Sequence, residues 1–159
     1  MNIEKLNNDY EISGQLEFVE TEHGFVLAEI NNAMAHATIC TYSGQVLSYR
    51  PKTETDDLLF VSETAYYESG KAIKGGIPVC WPWFGADPDG QGRPAHGFVR
   101  NRQWYVLGTE SLPSGATLVR LGLADNDETH QIWPHSFHLS INVTVGKTLK
   151  VELVTENSG

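Results

Sequence analysis

Hydrophobic and polar residues alternate with a period of two along much of this chain. In FHLSINVTV, residues 137–145, the side chains of Phe137, Leu139, Ile141, Val143 and Val145 fall on one face, with His138, Ser140, Asn142 and Thr144 on the other. That is the pattern of a half-buried strand. TLKVELVT repeats it with Leu149, Val151 and Leu153 after a Gly146-Lys147 turn, so the two segments read as a hairpin. Further short strands are expected at 23–30, 37–42, 44–50, 57–62, 103–108 and 116–123, separated by glycine, proline, asparagine and aspartate. No long amphipathic helix is legible, and SETAYYESG, residues 62–70, has room for one helical turn. The predicted class is all-β, an antiparallel sandwich or barrel. With no repeat, low-complexity tract or linker, residues 1–159 are expected to form a single domain. The chain stops at VELVTENSG, a strand running into turn residues, which suits either a natural terminus or the cut edge of a larger sheet.

Composition narrows the function. With 40% hydrophobic and 19% charged residues, the chain falls in the globular range. No apolar run approaches the length of a membrane helix, and MNIEKLNNDYEIS lacks a basic-then-apolar leader pattern, so a cytoplasmic protein without a membrane partner is expected. Cys40 and Cys80 lie in apolar, strand-like surroundings and read as buried hydrophobes, not as a disulfide or a metal site. A net charge of −9 argues against a nucleic-acid partner. The basic residues are unevenly placed, however. Residues 71–102 hold Lys71, Lys74, Arg93, Arg100 and Arg102, five of the eleven, against only Asp87 and Asp89. A small anion finds its best site there, although a solvated basic loop gives the same count.

The same stretch, KAIKGGIPVCWPWFGADPDGQGRPAHGFVR, is also rich in proline, glycine and tryptophan. Gly75-Gly76 after Lys74 fits neither nucleotide-loop pattern and reads as a close backbone approach. Pro78 and Pro82 confine IPVCWPWFG to an edge or rim. Trp81, Trp83 and Phe84 either fill core or form an apolar wall for the C–H faces of a sugar ring. Asp87, Asp89 and Gly92 match the start of a calcium loop, but Phe98 stands where its bidentate glutamate belongs, so a polar surface loop is expected and no metal. In HGFVRNRQW, an extended backbone would put Arg100 and Arg102 on one side, and Arg100 offers a fork of donors suited to phosphate or vicinal hydroxyls. His96 fits either a structural or a functional role. For His135 and His138 the structural role is the default.

AIKGGIPVCWPWFG, AHGFVRNRQW and WPHSFHLSINVTV, in that order, closely resemble successive motifs of hexose-6-phosphate mutarotases, the glucose-6-phosphate 1-epimerases of the aldose 1-epimerase-like superfamily. ATICTYSGQVLSYRP and LLFVSETAYYESG extend the resemblance over nearly the whole chain. It implies the N-terminal part of a galactose mutarotase-like β-supersandwich, and interconversion of the α and β anomers of a hexose phosphate without a cofactor. It also implies that Lys74, standing where arginine is frequent, and Arg100 hold the sugar phosphate, with His96 lining the site. The family's catalytic histidine, in a motif like LHTYF, and its later glutamate would lie beyond Gly159, so no catalytic residue is assigned in this chain; Glu156 is not that base. Three readings follow: a mutarotase completed by a missing C-terminal half or second chain, a non-catalytic sugar-phosphate-binding module, and a structural fragment. An open-edged half sandwich is expected to need a partner or a homo-oligomer.

Overall fold

The computed structural model describes residues 1–62 and 67–159. The helical turn expected at 62–70 falls largely on residues outside that set. Eight strands form two antiparallel sheets of four, ordered β1-β2-β3-β4 and β5-β6-β7-β8. The first sheet contains β1 (Leu16–Glu20), β2 (Val26–Asn31), β3 (Ala35–Cys40) and β4 (Gln45–Pro51). The second contains β5 (Tyr105–Ser111), β6 (Thr117–Ala124), β7 (Phe137–Val145) and β8 (Leu149–Asn157). The all-β expectation is met, and seven of these strands, β2 to β8, lie at or within a few residues of their expected positions, the hairpin β7–β8 among them.

Alternation has the expected cause. Phe18, Ala28, Ile30, Ala37 and Ile39 point inward from the first sheet and meet Val119, Leu121, Ile141 and Val143 from the second, all of them buried. Polar stitches fix one sheet on the other. The buried Asn32 donates through Nδ2 to Val145 O at 2.8 Å and Thr117 Oγ1 at 3.0 Å, while its Oδ1 accepts from the amides of Met34 and Ala35. Tyr49 adds a hydroxyl donated to Gly146 O at 3.0 Å. These bonds satisfy groups that burial would otherwise penalise.

Four elements depart from expectation, and β1 is one of them, since no strand was expected before residue 23. Residues 3–10 form helix α1 (Ile3–Tyr10), capped by Asn2, whose side chain accepts from Lys5 N. Ile3, Leu6 and Tyr10 give it an apolar stripe packed on the core. A second helix, α2 (Asp127–Ile132), begins in a capping box of Asn126 and Thr129. Conversely, the expected strand 57–62 is not a ladder strand. Asp57 Oδ1 accepts from Tyr49 N at 3.0 Å and Leu59 N at 2.7 Å, so a carboxylate takes donors that a neighbouring strand would have used. Among the described residues, an isolated bridge, Val61 to Gly75, and one backbone bond from Leu58 N to Tyr49 O at 2.9 Å remain of the pairing.

The outer strand β8 also differs from the half-buried strand its pattern predicts. Its core-side residues Val151 and Leu153 are 36% and 40% exposed. Free Cys40 is buried as expected, and burial pushes its thiol up to about 12, whereas Cys80, also expected to be buried, is only partly so.

Candidate anion-binding groove

The Gly75-Gly76 pair brings the candidate groove against the first sheet. A side chain at Gly75 would meet Val61 Cα at 2.5 Å, so glycine permits residues 75–76 to pass directly over the 60–61 backbone. Gly76 N donates to Phe60 O at 2.8 Å and Ile77 N to Val46 O at 2.9 Å. The close approach read from the sequence is therefore present, and it sets Lys74 at the mouth of a groove of about 620 Å³. Lys71, Ala72, Ile73, Lys74, Gly75, Pro78 and Arg100 line it.

Arg100 reaches the groove because HGFVRNRQW is not the extended segment expected. Val99–Asn101 forms one turn of 3-10 helix, with Val99 fully buried. The turn separates the two arginines. Arg100 lines the Lys74 groove and donates from Nη2 to Ala95 O at 3.0 Å, whereas Arg102 lines a second hollow with Tyr42 and Asn126 and pairs with Glu128 at 3.0 Å. The turn forms where the Trp104 indole can donate to Val99 O, at 3.1 Å, holding that carbonyl beneath the sheet.

The five local cations are thus not equivalent. Arg93 is held by Asp87 and Asp89, Lys71 pairs with Glu68 at 2.7 Å, and Arg102 pairs with Glu128. Among the described residues, no carboxylate pairs with Lys74 or Arg100. These two share one groove, so the excess positive charge is concentrated where the sequence could only spread it over the whole segment. The signal for the sorting was in the sequence as Asp87-x5-Arg93, but charge counting alone does not reveal which pairs close.

His96 is not among the residues lining this groove. Its amide donates to Gly85 O at 2.7 Å and its Nδ1 accepts from Gly85 N at 3.1 Å, a reciprocal pair that fixes the ring and leaves Nε2 as the other ring nitrogen. The ring stands edge-on to Phe84 at 4.7 Å. The aromatics divide similarly. Trp81 packs against Trp133 and Phe137 at 5.0 and 4.6 Å between centroids; Trp83 has Arg93 4.4 Å over its face; Phe84 is 82% exposed. None of the three lines the Lys74–Arg100 groove. His135 packs at a tilt against Trp133, 4.4 Å between centroids, and His138 lies on the exposed face of β7.

The surface loop expected at ADPDGQG, residues 86–92, is built around one carboxylate. Asp87 accepts from the amides of Asp89, Gln91 and Arg93 and from the Arg93 guanidinium at 2.6 and 2.9 Å. The Arg93 side chain, with the three amides, holds the Asp87 carboxyl far below the ordinary carboxylate range. Because the folded value is depressed, the contribution of this group is complete above the unfolded value of about 3.9 and is lost as pH falls through the folded one. Amide hydrogen exchange should therefore show Gln91 and Arg93 protected equally at pH 7 and pH 5. Protection should decline only in stronger acid, while Asp87→Asn should remove most of it already at pH 7. Equal protection in that variant would show that the loop does not depend on the carboxylate.

Among the described residues there is no cluster of histidine, cysteine and acids able to hold a metal ion, and no helix is long and apolar enough to cross a membrane.

Comparison with known proteins places this geometry. A sequence profile of the aldose 1-epimerase family matches residues 27–159. A protein of Escherichia coli K12, provisionally named glucose-6-phosphate 1-epimerase, is 36% identical over 127 residues, covering 80% of this chain and 42% of that protein. A relative from Cenchrus ciliaris with the same provisional name is 34% identical over 144 residues, covering 87% and 43%. The crystal structure of a provisionally named mutarotase from Salmonella typhimurium superposes with a TM-score of 0.85 at 28% identity, over 97% of this chain and 52% of that one. A galactose mutarotase-like protein from Lactobacillus casei, at 18% identity and a TM-score of 0.66, shares the fold. The chain therefore spans less than half the length of the curated relatives it matches and corresponds to their amino-terminal part. With the family profile matching most of its length and the sandwich superposing on a mutarotase structure, this chain belongs to the aldose 1-epimerase family.

Proposed function

We propose that this chain, as one mutarotase-like sandwich domain, supplies the sugar-phosphate-binding part of a hexose-6-phosphate mutarotase. Such an isomerase interconverts the α and β anomers of glucose 6-phosphate or a related aldose phosphate. The observation that carries the proposal is the meeting of Lys74 and Arg100, the two local cations without a carboxylate partner among the described residues, in one groove. Two positive groups match a phosphate dianion, one as a point charge and one as a planar fork. Ala95 O restrains Arg100, and Ala95 is the residue before His96, so we assign His96 to the sugar side of the phosphate subsite. Phe84, edge-on to His96 with its ring exposed, is the aromatic best placed to pack on that sugar.

Anomerisation needs an acid at the ring oxygen and a base at the C1 hydroxyl: the ring opens, C1 turns, and the ring recloses on its other face. Among the described residues, those lining the groove include lysines and an arginine but no carboxylate and no imidazole. This supports binding by these residues, with the acid and base supplied from outside them. Hexose phosphates and two free cysteines suit a reducing, cytoplasmic setting.

Two-dimensional exchange NMR on equilibrated glucose 6-phosphate tests both halves of the proposal. Adding the 159-residue chain should broaden the sugar-phosphate resonances without adding exchange between the anomeric protons, and Arg100→Ala should abolish the broadening. Added exchange that disappears in Arg100→Ala would place a working acid and base within this chain. Unchanged line widths would remove the binding assignment.

A further inference from the structure

We propose that the buried polar turn joining β3 to β4 sets Lys74 and Arg100 at one fixed separation, a role that rests on reading their groove as a phosphate site. Gln45 is the positioning residue on the Lys74 side and Ser43 the one on the Arg100 side. Of the six polar, non-aromatic side chains buried among the described residues, three are Thr41, Ser43 and Gln45, none of them with any exposure. So dense a burial of polar groups is costly unless every group is bonded. The bonds of these three run to the two segments that carry the cations.

On one side, Gln45 Nε2 donates to Gly75 O and, at 3.4 Å, to Ile73 O. Those carbonyls flank Lys74, so one amide group fixes the backbone before and after it while the lysine itself stays exposed in the groove. Ser43 Oγ donates to Gln45 Oε1 at 3.4 Å, the orientation that leaves the Gln45 NH2 facing both carbonyls. On the other side, Ser43 N donates to Arg102 O at 2.7 Å and Trp104 N to Thr41 O at 2.8 Å, and Thr41 Oγ1 accepts from Gln103 Nε2 at 2.9 Å. Arg102 closes the 3-10 turn that carries Arg100. Ser43 has φ of +80°, an uncommon setting for a residue with a side chain. Glycine would relieve that backbone but lacks the hydroxyl, whereas serine sends its amide to one arm of the groove and its hydroxyl, through Gln45, to the other. Local strain of this kind persists where the surrounding bonds over-determine it.

Titration with glucose 6-phosphate, followed by phosphorus NMR line width, should give a dissociation constant about tenfold higher or more in Gln45→Met, which keeps the length of the side chain but has no donor. Tyr49→Phe deletes another buried hydrogen bond, outside the groove, and should leave binding unchanged. Ser43→Gly should weaken binding about threefold while its unfolding midpoint stays near the parent's, since glycine suits a left-handed turn. Added to Lys74→Ala, in which Arg100 still holds the phosphate, Gln45→Met should weaken binding no further, because its effect passes through Lys74. In the free chain, the order parameter of the Lys74 amide should fall from about 0.85 in the parent toward about 0.6 in Gln45→Met. Parent-like binding by Gln45→Met, or losses that add to those of Lys74→Ala, would make Gln45 a loop filler and overturn the proposal. If Gln45→Met does not fold, Ser43→Gly decides, and parent-like binding there overturns it equally. An unchanged order parameter overturns it whether or not the parent binds. A parent that fails to bind, with the order parameter lowered in Gln45→Met, removes the phosphate reading and leaves the positioning turn in place.

Discussion

Replacing Trp104 with alanine is expected to cost about 3–5 kcal/mol of folding stability, the range for deleting a buried indole. Trp104 is wholly buried, just before β5, between the two sheets. Any side chain at Gly44, in the β3–β4 turn, would touch both its ring and Ile141 of β7, so the indole fills the space between a turn of one sheet and a strand of the other. Its Nε1 also satisfies Val99 O at 3.1 Å. Alanine would open a cavity and orphan that buried carbonyl, two penalties that add. Trp104→Phe separates them: it keeps most of the volume and should cost about 1–3 kcal/mol, chiefly the unmet acceptor. Denaturant unfolding midpoints of the three proteins check this. A Trp104→Ala loss below about 1 kcal/mol would mean that the sheets do not lean on this ring. The effect should extend to the groove, because the carbonyl that Trp104 holds belongs to the turn that aims Arg100.

Strand positions were legible because alternation is a direct consequence of a sheet with one buried face; β7 shows it at every residue. Helix α1 was not read, since its three inward residues lie in a polar stretch and its start is marked only by Asn2. Strand 57–62 was over-read for the opposite reason: its apolar residues invite pairing, but Leu58 and Phe60 are exposed and the Asp57 carboxylate takes the amides. At the site, residue types pointed to a basic segment and to the Arg100 fork, the choice of Lys74 came from the family resemblance, and the isolation of both from carboxylates depended on tertiary placement. Arg102 illustrates the difference. It is two residues from Arg100, yet one 3-10 turn sends it to another hollow and to Glu128, which no local pattern contains. Pairing among charges far apart in sequence is a property of the folded chain, and the family resemblance carried what the local pattern could not.

Gly97→Ala should be the other severe substitution, with a loss of about 2–5 kcal/mol from strain and overpacking together. Gly97 has φ of +73° and forms an isolated bridge with Trp81, and Phe98 N donates to Trp81 O at 3.1 Å. A Cβ there would overlap the Trp81 carbonyl and approach Pro82 N to 2.9 Å, both backbone atoms that no rotamer change can move aside. Relief requires parting the two segments. Gly85→Ala is the matched control: φ is +83°, but nothing lies within 4 Å of the added atom, so only the left-handed strain of about 1–2 kcal/mol applies. The functional consequence should follow the same order. Gly97 adjoins His96 and stands three residues before Arg100, so opening the 81–97 contact releases the turn that carries the guanidinium to Lys74. Gly97→Ala should therefore lose glucose 6-phosphate line broadening along with stability, whereas Gly85→Ala should retain binding at a slightly lower unfolding midpoint. Equal behaviour of the two variants would mean that the segment yields freely, and that Arg100 is positioned by the Trp104–Val99 bond without help from the Trp81 contact.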